Sequence, residues 1–200
     1  MLRKMKREKF TILESTCVPL PLENIDTDQI IPARFLSSTE REGFGENLFR
    51  DWRFDGNGNP MPGFVLNRPE YRGEILITGN NFGCGSSREH AVWAIADYGF
   101  RAVVSDSFAD IFMNNALNNG LLPVVIHSGL LTQLTALVTE KPGTRIRIDL
   151  DDQLLSVPGT GLRSGFPVNA FRKECLMKGL DSIDYLLAMK EEIEAYERSR

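Results

Sequence analysis

The feature that most constrains this chain is a repeated change of period between residues 74 and 139. Glu74 to Thr78 is a short apolar run ending in Gly79. A Gly/Asn/Ser loop and a helical pattern from Ser87 to Tyr98, closed by Gly99, follow it. Ala102 to Val104 repeats the strand, Phe108 to Asn119 repeats the helix and is stopped by Gly120, and Leu121 to Ile126 gives a third strand before a helical stretch over Gly129 to Thr139. Strands alternating with helices of this length predict βαβ units, with helices packed over a largely parallel sheet. The expected fold class is therefore α/β.

The flanks have other textures. Residues 9 to 73 are rich in Pro, Gly and Asn, with NGNPMPG at 57 to 63 as a turn-forming run. FTIL and QIIP read there as short strands, and Asp26, Thr27 and Asp28 as turn or cap residues. From Thr144, RIRIDLDDQLLSV alternates with period two about Asp151 and Asp152, which predicts a β-hairpin. Ala170 to Lys178 reads as a helix ending at Gly179, and Asp181 as the cap of a last amphipathic helix with Ile183, Leu186, Leu187 and Ile193 on its apolar side. With no internal repeat or linker, one domain over residues 1–200 is expected. Its parts are a loop-rich 9–73, a βαβ part at 74–143, and a hairpin with C-terminal helices at 144–200.

Composition excludes several classes of function. A chain of 200 residues with 42% hydrophobic residues can bury a core without disulfides or a structural metal. Its net charge of −4 gives no reason to expect nucleic acid or an anionic membrane as partner. The longest apolar stretch, Leu121 to Ile126, is broken by Pro123 and falls far short of the roughly 18 residues of a membrane span. Glu14 interrupts the apolar segment after the basic start, so no export signal is read and a cytoplasmic location is expected. Cys17, Cys84 and Cys175 form no CxxC pair and cannot supply the four thiolates of a usual iron–sulfur site. His90 and His127 are the only histidines, too few for a zinc site built on several imidazoles, so no metal is expected on this chain.

The segment with chemical content is GNNFGCGSSREHA, Gly79 to Ala91, between a strand and the helix after it. A helix's first turn leaves N–H groups unpaired and carries about half a positive charge, so such a junction suits a carboxylate or oxyanion. Gly83 and Gly85 allow close approach of the backbone, Asn80, Asn81, Ser86 and Ser87 add hydrogen-bonding side chains, and Arg88 adds a forked cation. The spacing matches neither the phosphate loop GxxxxGK[ST], nor GxGxxG, nor the GxSxG nucleophile elbow, which leaves small organic anions as the ligand class. A serine here has two readings. It is an N-cap, which spacing alone favours, or a proton acceptor whose alkoxide is stabilised by N–H groups and Arg88.

That loop, together with NIDTDQIIPARFL at 24–36, SFADIFMNNALNNGLLP at 107–123 and GLDSIDYLL at 179–187, closely resembles the small subunits of bacterial 3-isopropylmalate dehydratases over nearly the whole chain. The resemblance implies an aconitase-like swivelling β/β/α domain and a hydro-lyase of leucine biosynthesis. Such enzymes interconvert 2-isopropylmalate and 3-isopropylmalate, small dicarboxylates, by dehydration and rehydration. It also implies a large-subunit partner that carries a 4Fe-4S cluster. Carried over by motif, Ser86 matches the proton-transferring serine, with Arg88 positioning substrate charge and stabilising the alkoxide. Ser87 and Asn81 fall among the substrate-binding neighbours, and Asp28 matches an active-site aspartate whose other reading is a turn or cap. Where aconitase places an arginine for citrate's third carboxylate, this chain presents Phe35 and Leu36, expected as an apolar wall for the isopropyl group in the specificity part at 9–73. Arg34 and Arg41 lie close by in sequence. The alternatives are a related hydro-lyase acting on citramalate, dimethylmalate or homoaconitate, and a non-catalytic module that binds a small diacid.

The remaining conspicuous residues read as structural. His90 is expected in packing, His127 at the surface, Cys84 as a small filler near the loop, and some of the cluster Asn114, Asn115, Asn118 and Asn119 in hydrogen bonds to neighbouring loops, with an unassigned substrate contact as the other reading of the cluster.

Overall fold

The computed structural model describes residues 8–36 and 43–199. In chain order the elements are β1 (Ile12–Ser15), β2 (Cys17–Leu20), α1 (Thr27–Ile30), α2 (Arg50–Arg53), β3 (Ile75–Thr78), α3 (Glu89–Asp97), β4 (Ala102–Ser105), α4 (Asp110–Asn118), β5 (Leu122–Val125), α5 (Ser128–Glu140), β6 (Ile146–Asp149), β7 (Leu154–Ser156), β8 (Arg163–Gly165), α6 (Ala170–Lys178), α7 (Ser182–Ala188) and α8 (Lys190–Arg198).

The strands form two sheets. One is fully parallel, in the order β2-β3-β4-β5, and the other antiparallel, in the order β1-β6-β7-β8. The expected βαβ units build the first. The hairpin of β6 and β7 neither extends nor closes that sheet; it pairs with β1, Leu13 opposite Ile148, to make a second layer. Pro19 and Pro123, which cannot donate to a ladder, sit in β2 and β5, the two edges of the parallel sheet.

The parallel strands are buried on both faces, as βαβ packing requires. Val18, Leu20, Leu76 and Val103 join one core with Ala91, Val92 and Ile95 of α3, Phe112 and Ala116 of α4, and Ile30 of α1. Cys17, Ile75, Ile77, Val104 and Val124 face the other way, into a second core with Leu131, Leu134 and Val138 of α5 and with Leu13, Ile146, Ile148 and Leu155 of the antiparallel sheet. The result is the β/β/α layering expected.

Three local expectations are corrected. QIIP is not a strand, because Asp26 caps α1: its carboxylate accepts from the Gln29 N–H at 2.7 Å and the Gln29 side chain accepts from the Asp26 N–H at 2.8 Å. This capping box satisfies donors that a strand would leave open. FTIL shifts along the chain, so that the strand is Ile12–Ser15. The last amphipathic helix is two helices, α7 and α8, and Ile183, Leu186, Leu187 and Ile193 are exposed instead of covering a core. Arg41 lies outside the described residues.

Candidate active site

Beyond the carboxyl ends of β2, β3 and β4, the connecting loops continue to pair. The Gly83 N–H donates to the Ile25 carbonyl at 2.8 Å, the Thr27 N–H to Cys84 at 2.9 Å, and the Ala109 N–H to Phe82 at 3.0 Å. Residues 25–27, 82–84 and 108–109 thus lie side by side, with Asp26 bridged to Cys84 and Phe82 to Phe108. Ser105, fully buried, ties the ends of β3 and β4: its hydroxyl lies 2.7 Å from the Gly79 carbonyl and 2.8 Å from the Ser107 carbonyl, with one proton to share between them. Open parallel sheets bind ligands at this carboxyl edge, where loops from neighbouring strands converge.

A cavity of about 240 Å³ opens there, lined by Thr27, Gly83, Gly85, Ser86 and Arg88 from one side and by Ala109, Asp110, Ile111, Phe112 and Asn115 of α4 and its approach from the other. It is smaller than the roughly 300–1,000 Å³ of drug-sized ligand sites and suits a small organic acid. Gly83 shapes its floor. With φ of +76° and the Phe112 ring against its Cα, it occupies a place where a Cβ would overlap that ring.

Neither serine caps α3. The helix starts at Glu89, and its N-cap is Arg88, whose side chain makes no cap hydrogen bond. The carbonyl of Ser86 accepts from the Thr27 hydroxyl at 2.9 Å, which pins the backbone, while Ser86 itself is exposed on the cavity wall. Arg88 stands before the first helical turn, not within it, and this frees its guanidinium to fold across to α1. There Nη1 donates to Asp28 in an ion pair, with the Arg88 side chain only 17% exposed. Asp28 is 52% exposed and does not line the cavity. Its carboxylate engages one N–H of a group that has five, leaving others for a ligand.

The other proposed residues lie apart. Ser87 is exposed and lies outside the cavity lining. Asn81 adopts the left-handed conformation, φ +56°, and its amide donates to the Asn24 side chain at 2.9 Å, so it holds the loop rather than the cavity. Phe35 faces a second cavity of about 390 Å³ with Arg34, Arg50, Asp51, Phe54 and Asp55, where Arg34 pairs with Asp51. Leu36 packs against the first core and lines neither cavity.

The part played by the first turn of α4 was not read from the sequence. Its N-cap, Ala109, has no side chain to satisfy the first-turn N–H groups, and that turn forms one wall of the cavity. The signal was present: α4 follows β4 just as α3 follows β3, so the carboxyl-edge rule applies to both loops. Of the asparagine cluster, Asn115 lines the cavity, while Asn118 accepts from Arg172 and Asn119 binds Glu89 and Trp93. His90 packs between Phe44 and Trp93, with ring centroids at 5.4 and 4.6 Å. His127 caps α5 through Nδ1, which accepts from the Gly129 N–H at 3.1 Å. Cys17 and Cys175 are buried, and no group of three His, Cys, Asp or Glu able to hold a metal is found among the described residues.

Comparison with known proteins fits this geometry. The family model described as the aconitase C-terminal domain matches residues 7–129. A 3-isopropylmalate dehydratase small subunit from Christiangramia forsetii is 55% identical, with 96% of this chain and 94% of that protein covered. The chain belongs to the 3-isopropylmalate dehydratase small-subunit family. A small subunit from Azobacteroides pseudotrichonymphae is 56% identical over 96% of this chain and 98% of its own length. In three dimensions the chain is similar to a 3-isopropylmalate dehydratase LeuD from Methanocaldococcus jannaschii, with a TM-score of 0.65, 29% identity, and 93% and 99% of the two chains covered. Membership of this family accounts for the aconitase-like fold with its two sheets. No helix among the described residues is long and apolar enough to cross a membrane.

Proposed function

We propose that this chain is the small subunit of a 3-isopropylmalate dehydratase, a hydro-lyase that interconverts 2-isopropylmalate and 3-isopropylmalate in leucine biosynthesis. One observation carries the proposal beyond family membership: Ser86, free of helix capping, shares a small cavity with Arg88 at the carboxyl edge of the parallel sheet.

Dehydration removes a proton from the carbon beside a carboxylate and a hydroxyl from its neighbour; rehydration returns both with their positions exchanged. Ser86 Oγ, as alkoxide, takes the proton and later gives it back, so the serine is regenerated in each cycle. A serine hydroxyl is a poor base at neutral pH. The guanidinium of Arg88 lowers the cost of the alkoxide and holds a substrate carboxylate. Asp28 is a positioning residue that holds Arg88 over the cavity from α1. Asn81 serves the substrate indirectly, by holding the loop that carries Ser86 through its hydrogen bond to Asn24.

The three separated cysteines do not fit an iron–sulfur cluster, and no step of this chain is assigned to one. A 4Fe-4S cluster on the large subunit, as the resemblance implies, supplies Lewis acidity toward the departing hydroxyl. This chain supplies the proton transfer and anion binding, which makes the site incomplete without the partner. On this reading the chain works in a heterodimer or larger assembly with the large subunit, and its proposed location is the cytoplasm.

The test is reconstitution with the large subunit. Ser86→Ala should lower kcat for 2-isopropylmalate roughly 100-fold or more, the scale of general-base removal, with subunit affinity unchanged. Full turnover by that variant would leave the chain a diacid-binding module. Preference of the native pair for citramalate, dimethylmalate or homoaconitate would make it a related hydro-lyase.

A further inference from the structure

Helix α4 carries a residue that folding does not explain. Phe112 and Ala116 form its inward stripe and are buried in the first core. Ile111 falls off that stripe and is 52% exposed. A β-branched side chain in a helix loses rotamer freedom, and one half exposed gains only part of the burial that offsets this. Folding stability therefore gives isoleucine little advantage at this position. Ile111 does line the cavity with Ser86 and Arg88.

The two walls of that cavity differ in chemistry. Thr27, Ser86 and Arg88 make one wall polar and cationic, while the facing wall sets the apolar Ala109, Ile111 and Phe112 beside Asp110 and Asn115 and carries no cationic side chain. A ligand with carboxylates toward Arg88 and a branched alkyl group toward Ile111 matches that division, whereas a third carboxylate on the α4 wall would be set beside the acidic side chain of Asp110 with no cation to pair with. Phe35 faces the other cavity and Leu36 neither.

We infer that Ile111 is a specificity-determining residue, and that the branched alkyl group of the substrate packs on it and on Ala109 at the start of α4. The inference rests on the proposed dehydratase activity and names the group that selects its substrate. Because Ile111 is exposed, its substitution leaves the core intact.

The experiment uses the reconstituted holoenzyme and two substrates, 2-isopropylmalate and citramalate, which carries a methyl group in place of isopropyl. Ile111→Ala should lower kcat/KM for 2-isopropylmalate about tenfold and change that for citramalate by less than about twofold, with Ile111→Val intermediate and subunit affinity unchanged. An equal fall on both substrates overturns the inference, as does a loss of affinity for the large subunit, which would make Ile111 a docking residue. Native holoenzyme without turnover of 2-isopropylmalate would sink the dehydratase proposal itself, and is told apart because it is seen before any variant is made.

Discussion

At the scale of single residues, the decisive fact about the candidate site is what its serines are not doing. A Ser-Ser pair ahead of a helix is ordinarily spent on capping, and here Arg88 occupies the N-cap instead. The displacement leaves Ser86 on the cavity wall and lets the arginine reach Asp28 on another element. Asp28→Asn keeps the size of the side chain and removes its charge. It should lower kcat/KM about tenfold through a misplaced Arg88, with kcat falling and KM rising together, which steady-state kinetics of the holoenzyme will show. Gly83→Ala tests the floor. A methyl group there meets the Phe112 ring in a left-handed backbone, so the variant should lose about 2–4 kcal/mol in urea unfolding and most of its activity. Both glycines and the serines were legible as a loop that approaches a small anion. The pairing of Arg88 with Asp28 was not, because 60 residues of chain separate them and only the packing of α1 on α3 brings them together.

At the scale of elements, period and punctuation carried most of the information. The helix over Ala170–Lys178 and its stop at Gly179 match the residues from which they are read, and Gly179 is indeed left-handed with φ of +68°. α1 shows the opposite case. Four residues with the apolar run QII resemble a strand, but the capping box at Asp26 overrides the local β preference and turns the segment into a helix. Asp26→Ala should therefore cost about 1 kcal/mol in thermal or denaturant unfolding, and should lower activity more than that loss alone implies, because α1 also presents Thr27 and Asp28 to the site. The same pattern logic failed at α7 and α8, whose amphipathic spacing predicts a buried face. Periodicity reports that a helix has an apolar side; it says nothing of whether this chain or another covers it.

At the scale of the whole molecule, the two cores place one thiol where water cannot reach it. Cys17, in β2 between the parallel sheet and the antiparallel layer, has its thiol pushed well above the usual range by burial. A raised folded value means that this contribution to stability is intact below the ordinary thiol value of about 8.5 and is lost as pH rises past it, since the unfolded chain ionises and the folded one resists. The unfolding free energy should fall by up to about 1.4 kcal/mol per pH unit in that alkaline window, and Cys17→Ala should flatten the decline; urea titrations between pH 7 and 10 measure both.

Short-range order was settled by the sequence alone: alternating strands and helices dictate a parallel sheet, glycines mark the loop, and three cysteines are too few for the four thiolates of a usual iron–sulfur site. Those properties depend on residues within a few positions of one another. Tertiary structure decided how β1 finds β6 across more than 130 residues, why Arg88 reaches Asp28, and that the first turn of α4 completes the cavity. Each of these joins groups distant along the chain, and such pairings are fixed by which apolar faces bury against each other, a condition the whole fold must satisfy at once.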